Sequence, residues 1–330
     1  MIIYIKLLLK NIYMYKIKQE YPDFIVKENI KLNLDSNGDY GQFLLRKIGL
    51  DTKEVINKLR VVLKTSKISY AGLKDKNAET YQYISIYKPD IGKIAKINFD
   101  RFELKLVGYG NNPIFLGQLD NNTFIITIRN LDYEHKNINF IENYFDEQRF
   151  SKNNVSIGRF ILKKEYKSAL NILGLDGDLN ELKKLSRDKL RFYINAYQSY
   201  LWNSVVANLL EKNKNNRLKY SLGELVFLKN KIKNFKVPML NFDTEFNSKS
   251  IEESYNKIMK IEGITKDSFL IREIPELINE SVDRDVFIDV KIKSSFMDDE
   301  LNKGKFKQIL EFKLPKGGYA TIVIKKMFSF

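Results

Sequence analysis

Three short stretches of the sequence carry side chains that could do chemistry. In AGLKDKNAETYQ (Ala71–Gln82) a carboxylate, Asp75, stands on a small-residue loop between Lys74 and Lys76, with Thr80 and Gln82 following. Flanking cations keep a carboxylate ionised, which suits a nucleophile or a group that stabilises a developing oxocarbenium ion. The same residues also describe a turn-forming Asp beside solvated lysines. In NYFDEQRF (Asn143–Phe150) the ring of Phe145 adjoins the amide of Asn143, the acid Asp146 and the guanidinium of Arg149. Such a set can stack on and hydrogen-bond an extruded nucleobase, with stacking worth roughly 1–3 kcal/mol per base. It equally describes an aromatic core edge with a surface ion pair. The third stretch, NAYQSYLWN (Asn195–Asn203), has a helical spacing that reads as packing, with Gln198 and Ser199 as candidates to face a cleft.

Composition narrows the chemistry further. Cysteine is absent, which excludes disulfides, thiolate-ligated zinc or iron–sulfur sites, and any cysteine nucleophile, including the thiolate of uracil C5 methylases. A single histidine, His135, excludes His-pair metal sites, so no metal is expected. No GxxxxGK[ST] loop occurs, and the glycine cluster GYGNNPIFLG (108–117) matches neither that nor GxGxxG. Nucleotide, dinucleotide and S-adenosylmethionine cofactors are therefore not expected. The 56 Lys+Arg against 41 Asp+Glu give a net charge of +15. That charge suits a polyanion, nucleic acid or an acidic membrane face, although an AT-rich genome would also inflate Lys, Asn and Ile together. The opening MIIYIKLLLKNIYMYK is interrupted at Lys6 and Lys10, short of the ~20 residues of a membrane span, and lacks a small-residue cleavage site. It reads as a strand, or as a leader to a start at Met14. A cytoplasmic protein with no membrane partner is expected.

These stretches need elements to hold them. A length of 330 residues suggests about two domains. Residues 14–30 read as strand, turn at Pro22, strand. Leu44–Leu63 has helical spacing and ends in a basic stretch at Lys64 and Lys67. A loop at Gly72–Ala78 leads into an alternating strand through Tyr83, Ser85 and Tyr87, and residues 102–130 hold two more strands. From about Ile157 the pattern turns helical, over 158–171 and 178–214, with KNKNN (212–216) as a solvated loop. Residues 222–290 are mixed, including a helical IEESYNKIMKIEG. The end, KQILEFKLPKGGYATIVIKKM, reads as strand, Pro-Gly turn, strand, returning to the first sheet around an inserted middle. The class is α+β, with an antiparallel sheet flanked by helices.

Six collinear segments from about residue 17 to 326 then carry a resemblance. AGLKDKNAETYQ resembles the A/G-G-x-KD-x-x-A-x-T-x-Q segment of the TruD family of tRNA pseudouridine synthases. IKQEYPDFIVKE is similar to its PxDFxVxE box, IFLGQLDNNTFIITIR to its LGxLxGNxFxIxIR strand pair, and NYFDEQRF to NYFGxQRFG. AYQSYLWN resembles AxQSxLFN, and LPKGGYATIVIKK resembles LPxGSYATxxLRE. Asp146 and Ser151 stand where that family has glycines, and Asn121 replaces the glycine of its GN pair, positions where glycine often marks φ > 0.

The resemblance implies a pseudouridine synthase fold: a mixed, mainly antiparallel sheet with flanking helices in a catalytic domain of residues 1–157 and 290–330. An α/β TRUD domain would be inserted at 158–289. It implies a protein that binds tRNA, without metal or cofactor, and isomerises a uridine, usually uridine 13 of the D-arm and in some members also position 35; nothing in the sequence demands more than a monomer. Asp75 matches the catalytic aspartate, Phe145 the ring that stacks on the uracil, and Asn143 the amide beside it. Lys18 matches a basic residue near the aspartate. Glu28, Lys74, Gln82 and Arg149 complete the implied substrate-binding set. Two other classes stay open. One is a non-catalytic tRNA binder or chaperone, which would have no need of Asp75, Phe145 and Gln82. The other is a basic glycosidase, whose second acid in this loop could only be Glu79.

Overall fold

The computed structural model describes residues 15–97, 99–151, 153–278 and 280–330. The reading of the N-terminal stretch, residues 1–14, falls outside them. The chain divides into two compact units, residues 1–139 with 290–320 and residues 140–289 with 321–330.

In the first unit a 3-10 turn at Tyr21–Asp23, with Pro22 fixing its backbone, leads into β1 (Phe24–Asn29). β2 (Tyr40–Ile48), α1 (Thr52–Leu63), β3 (Ile68–Tyr70) and β4 (Glu79–Tyr87) follow, then α2 (Ile91–Ala95), β5 (Phe102–Gly110) and β6 (Asn121–Leu131). The helical spacing read from Leu44 belongs to a strand as far as Ile48. The helix starts only at Thr52, where the Asp51 carboxylate caps it by accepting from Lys53 N at 2.8 Å. α1 ends at Lys64, in the left-handed region at φ 52°. Its Val55, Ile56 and Leu59 pack with Phe43, Leu45, Ile84 and Ile86 in a core on one face of the sheet.

The second unit opens with β7 (Phe140–Glu142), α3 (Glu147–Phe150), α4 (Asn154–Leu162), α5 (Tyr166–Ile172) and α6 (Leu179–Lys183). The 24-residue α7 (Arg187–Leu210), capped by Ser186, buries Tyr197 and Trp202 completely. α4 approaches it so closely that a Cβ on Gly158 would lie 2.2 Å from the Tyr193 carbonyl, which explains the glycine. β8 (Asn215–Tyr220), β9 (Gly223–Leu228), β10 (Lys236–Pro238), α8 (Lys249–Glu262), β11 (Asp283–Asp285) and β12 (Phe287–Asp289) complete the excursion. The last two residues of KNKNN, Asn215 and Asn216, are thus strand rather than loop, paired with Phe227 and Leu228.

The chain then returns with β13 (Lys293–Asp298) and β14 (Phe306–Pro315) to the first unit. Among the described residues its sheet has eight strands in the order β13-β14-β6-β1-β4-β2-β5, with β3 beside β4. Only β1 and β4 run parallel, so the sheet is mixed and mainly antiparallel. The final TIVIKK run is not a strand. It forms α9 (Ala320–Phe328), whose residues from Thr321 on belong to the second unit. Its β-branched residues favour a strand locally, but burial of Ile322, Val323, Ile324 and Met327 overrides that preference. Residues 140–157, read from sequence as part of the catalytic domain, also pack with the second unit.

Candidate active site

The Asp75 loop follows from the sheet. β4 carries β1 beside Glu79–Tyr81 and β3 beside Ile84–Ile86 on the same edge, so residues 71–78 bridge the gap where β3 stops. Backbone bonds from Gly117 N to Ala71 O (2.7 Å) and Gly49 N to Ala78 O (3.2 Å) fix the two ends. Lys47, on β2 and fully buried, fixes the middle. Its Nζ donates to the carbonyls of Leu50 (2.8 Å), Asp75 (2.9 Å) and Lys74 (3.4 Å). Burial pushes this amine down to about 8, against the pull of the Asp51 and Asp75 carboxylates.

The sequence-predicted residues gather around this loop in two roles. Lys18 Nζ donates to Asp75 Oδ2 at 3.2 Å, and the carboxylate side chain retains 22% exposure. Lys18 reaches it from a left-handed backbone, φ 54°, with its ammonium 4.0 Å above the Phe24 ring. Asp75 is therefore an ion-paired carboxylate open to solvent on a fixed loop. Glu28, Lys74 and Gln82 bond inward. Lys74 Nζ donates to Glu28 Oε1 at 2.7 Å in a buried pair, and the other Glu28 oxygen accepts from Tyr83 N at 2.8 Å. Lys74 N donates to Thr52 Oγ1, which donates to Gln82 Oε1, whose Nε2 donates to Gly72 O. These three support the loop from beneath rather than offering free polar groups.

Glu79 does not supply a second acid. Burial raises its carboxyl, but bonds from Tyr81 (2.6 Å) and Arg46 (2.7 Å) outweigh that and hold it below the ordinary carboxylate value. A general acid needs the opposite shift.

In the second unit, Asn143 and Phe145 are brought together by Arg284. Asn143 N and Nδ2 donate to Val286 O (2.7 Å) and Asp285 O (2.9 Å). Arg284 donates to both Asn143 oxygens, at 2.5–3.1 Å, and lays its guanidinium 4.1 Å from the Phe145 ring centre. Asn203 clamps the Phe145 backbone, accepting from its N–H (3.0 Å) and donating to its carbonyl (2.8 Å), while Trp202 meets the ring edge-on at 5.7 Å. Arg149 turns elsewhere, over Phe192 at 5.4 Å. Gln198 and Ser199 are packed inward. They are buried and bond to the carbonyls of Leu240 and Asn195.

Of the three positions where glycine was replaced, one keeps the unusual backbone. Ser151 has φ 39° and ψ −169°. Asp146 is extended and receives Lys325 Nζ, and Asn121 receives Asn29 Nδ2 at 2.6 Å in β6. Sequence reasoning missed Lys47 and Arg284, each one of 56 basic residues with no spacing to mark it.

Comparison with known proteins identifies the family. The family model described as tRNA pseudouridine synthase D (TruD) matches residues 11–181 and 175–327. The tRNA pseudouridine synthase D of Aquifex aeolicus is 29% identical over 95% of this chain and 98% of its own length. A Methanocaldococcus jannaschii protein named "Probable tRNA pseudouridine synthase D 2" is 32% identical, covering 95% and 91%. The crystal structure of a TruD protein from Methanosarcina mazei superposes with a TM-score of 0.70 at 25% identity, over 95% of this chain and 93% of that one. With the family model spanning nearly its whole length, the chain belongs to the tRNA pseudouridine synthase D family.

Proposed function

We propose that the protein isomerises a uridine of tRNA to pseudouridine, with Asp75 acting on the ribose–base bond. The observation that carries this reading is the Lys18–Asp75 pair at 3.2 Å on a loop held by a buried lysine. A fixed, ion-paired, solvent-reachable carboxylate can either add to a carbon or stabilise positive charge at C1′ as the N1–C1′ bond breaks. The base then turns and rejoins through C5, whose proton passes to solvent while the freed N1 takes one up. Phe145 supplies the ring that stacks on the extruded uracil, offsetting an unstacking cost of a few kcal/mol, and Asn143 the amide beside it. The first unit is the catalytic domain in this reading, the 140–289 excursion the inserted one, and uridine 13 of the D-arm the target, with position 35 as a second site. The net charge of +15 provides for phosphate contacts, each adding roughly −0.7 to −0.9 to the slope of log K against log salt.

Unmodified tRNA transcripts tritiated at uracil C5 test the reading. The wild type should release tritium, and Asp75→Ala should release none while binding tRNA within about twofold of wild type. Release from both proteins would remove Asp75 from the chemistry. Release from neither, with tRNA bound, would make the protein a binder.

A further inference from the structure

A cavity of about 800 Å³ opens within the second unit, where the end of α7 meets the loop before β10 and the first half of α8. Leu209, Ile232, Phe235 and Ile251 form its apolar wall. Phe235 is half-buried and held edge-on by Phe287, at 6.1 Å between ring centres. Three exposed lysines, Lys212, Lys236 and Lys257, line the same cavity, and among the described residues none has a carboxylate within ion-pairing distance. Lys231, next to the wall, is taken up by Asp289 at 2.5 Å, and Lys164 and Lys184 by Glu273 and Glu181. The acid in the lining, Glu253, faces Lys249 at 3.9 Å.

Uncompensated ammonium groups around an apolar, ring-bearing concavity call for a ligand that is anionic at one end and flat and apolar at the other. A nucleotide has that form, and the cavity lies in the size range of small-ligand sites. Phosphate would meet the lysines, the base would lie on Phe235 and Ile232, and the exposed Asn247 amide offers both a donor and an acceptor to a base edge. A base-paired strand cannot turn its ring into a pocket, so the nucleotide must be unpaired, as in most base-specific RNA contacts.

We infer that this cavity binds an unpaired nucleotide of the RNA substrate, as an anchor distinct from the residues that act on the target uridine. The inference rests on the tRNA reading above. It is tested in the full-length Asp75→Ala protein, so that chemistry does not enter. Unmodified tRNA transcript is titrated against this protein, against the triple substitution Lys212→Gln, Lys236→Gln and Lys257→Gln, and against Phe235→Leu. A control triple, Lys183→Gln, Lys219→Gln and Lys229→Gln, removes equal charge from exposed positions outside the lining. The cavity triple should lose about tenfold or more in affinity at moderate salt and flatten the log–log salt slope by roughly 2. Phe235→Leu should lose about fivefold with the slope unchanged. Transcripts carrying 4-thiouridine should crosslink to peptides within residues 208–257. Equal losses for the two triples, or affinity within twofold of the parent with no such crosslink, overturn the anchor while leaving tritium release by the wild type intact. A wild type that binds no tRNA overturns both readings.

Discussion

The Nζ of Lys47, a side chain with no solvent exposure, donates to the backbone carbonyl of Asp75 at 2.9 Å. Because the same amine reaches Leu50 O and Lys74 O, one buried group ties the end of β2 to the loop that carries the candidate carboxylate. The carboxylate itself meets Lys18 and keeps part of its surface in solvent. Support and chemistry thus use different atoms of the same residue.

Burial lowers the Lys47 amine to about 8, from 10.5 in an unfolded chain. Between those values the unfolded chain keeps a proton that the folded protein has lost, so stability rises with pH across the window. Lys47→Met removes that rise. Urea midpoints at pH 7, 8, 9 and 10 should diverge between wild type and variant by the equivalent of about 1–3 kcal/mol. Parallel midpoints would show that the amine is not desolvated.

Lys18→Met removes a charge-assisted bond to Asp75, an interaction worth roughly 1.5–3 kcal/mol. If the pair acts in the transition state, single-turnover tritium release should fall roughly 10–100-fold. Affinity for tRNA should stay within about twofold, and Lys18→Arg should recover part of the rate. A loss confined to affinity would make Lys18 a phosphate contact instead.

Arg284 spans Asn143 and Phe145 with a planar fork that lysine cannot reproduce. Arg284→Lys should therefore lower single-turnover release about as much as Arg284→Met, by roughly tenfold. Full rescue by lysine would reduce the residue to its charge.

Ser151 at φ 39° and ψ −169° sits close to a region that only glycine populates freely, at a cost of order 1 kcal/mol or more. Ser151→Gly should raise the urea-unfolding free energy by about 1 kcal/mol. An unchanged or lower value would show that the hydroxyl compensates for the backbone.

Glu142 and Lys326 form a buried pair at 3.0 Å, and Glu142 also accepts from Leu228 N. Burial pushes the Glu142 carboxyl up and the Lys326 ammonium down to about 8, each pulled back by the other. Lys326→Met strands the acid and should cost about 3–5 kcal/mol, measured by chemical denaturation. Adding Glu142→Gln should recover part of that loss.

What could be read from sequence depended on how local the signal was. The loop at 71–78, the strand after it and the return of the C-terminal strand were legible because turn residues and alternation are local. The boundary between β2 and α1 was not, since apolar spacing from Leu44 to Leu63 fits a helix until the Asp51 cap is weighed. α9 was misread because its β-branched run speaks for a strand, while its helix is imposed by packing and by Lys325 and Lys326 meeting Asp146 and Glu142. The glycine replaced by Ser151 was legible as a backbone position. Lys47 and Arg284 were invisible, because their importance lies in distant carbonyls and a distant ring.

The place of β14 in the sheet has a consequence for how the protein is made. β14 pairs along β6 from Leu131 to Asn121, yet residues 140–289 are synthesised between them. A nascent chain therefore emerges with β6 presenting an open row of amides and carbonyls, and that row stays open while the whole second unit leaves the ribosome. The N-terminal unit cannot finish first. Its closure joins segments far apart in sequence, the slow kind of contact, and a chain terminated before Phe306 would keep the edge permanently available to other strands.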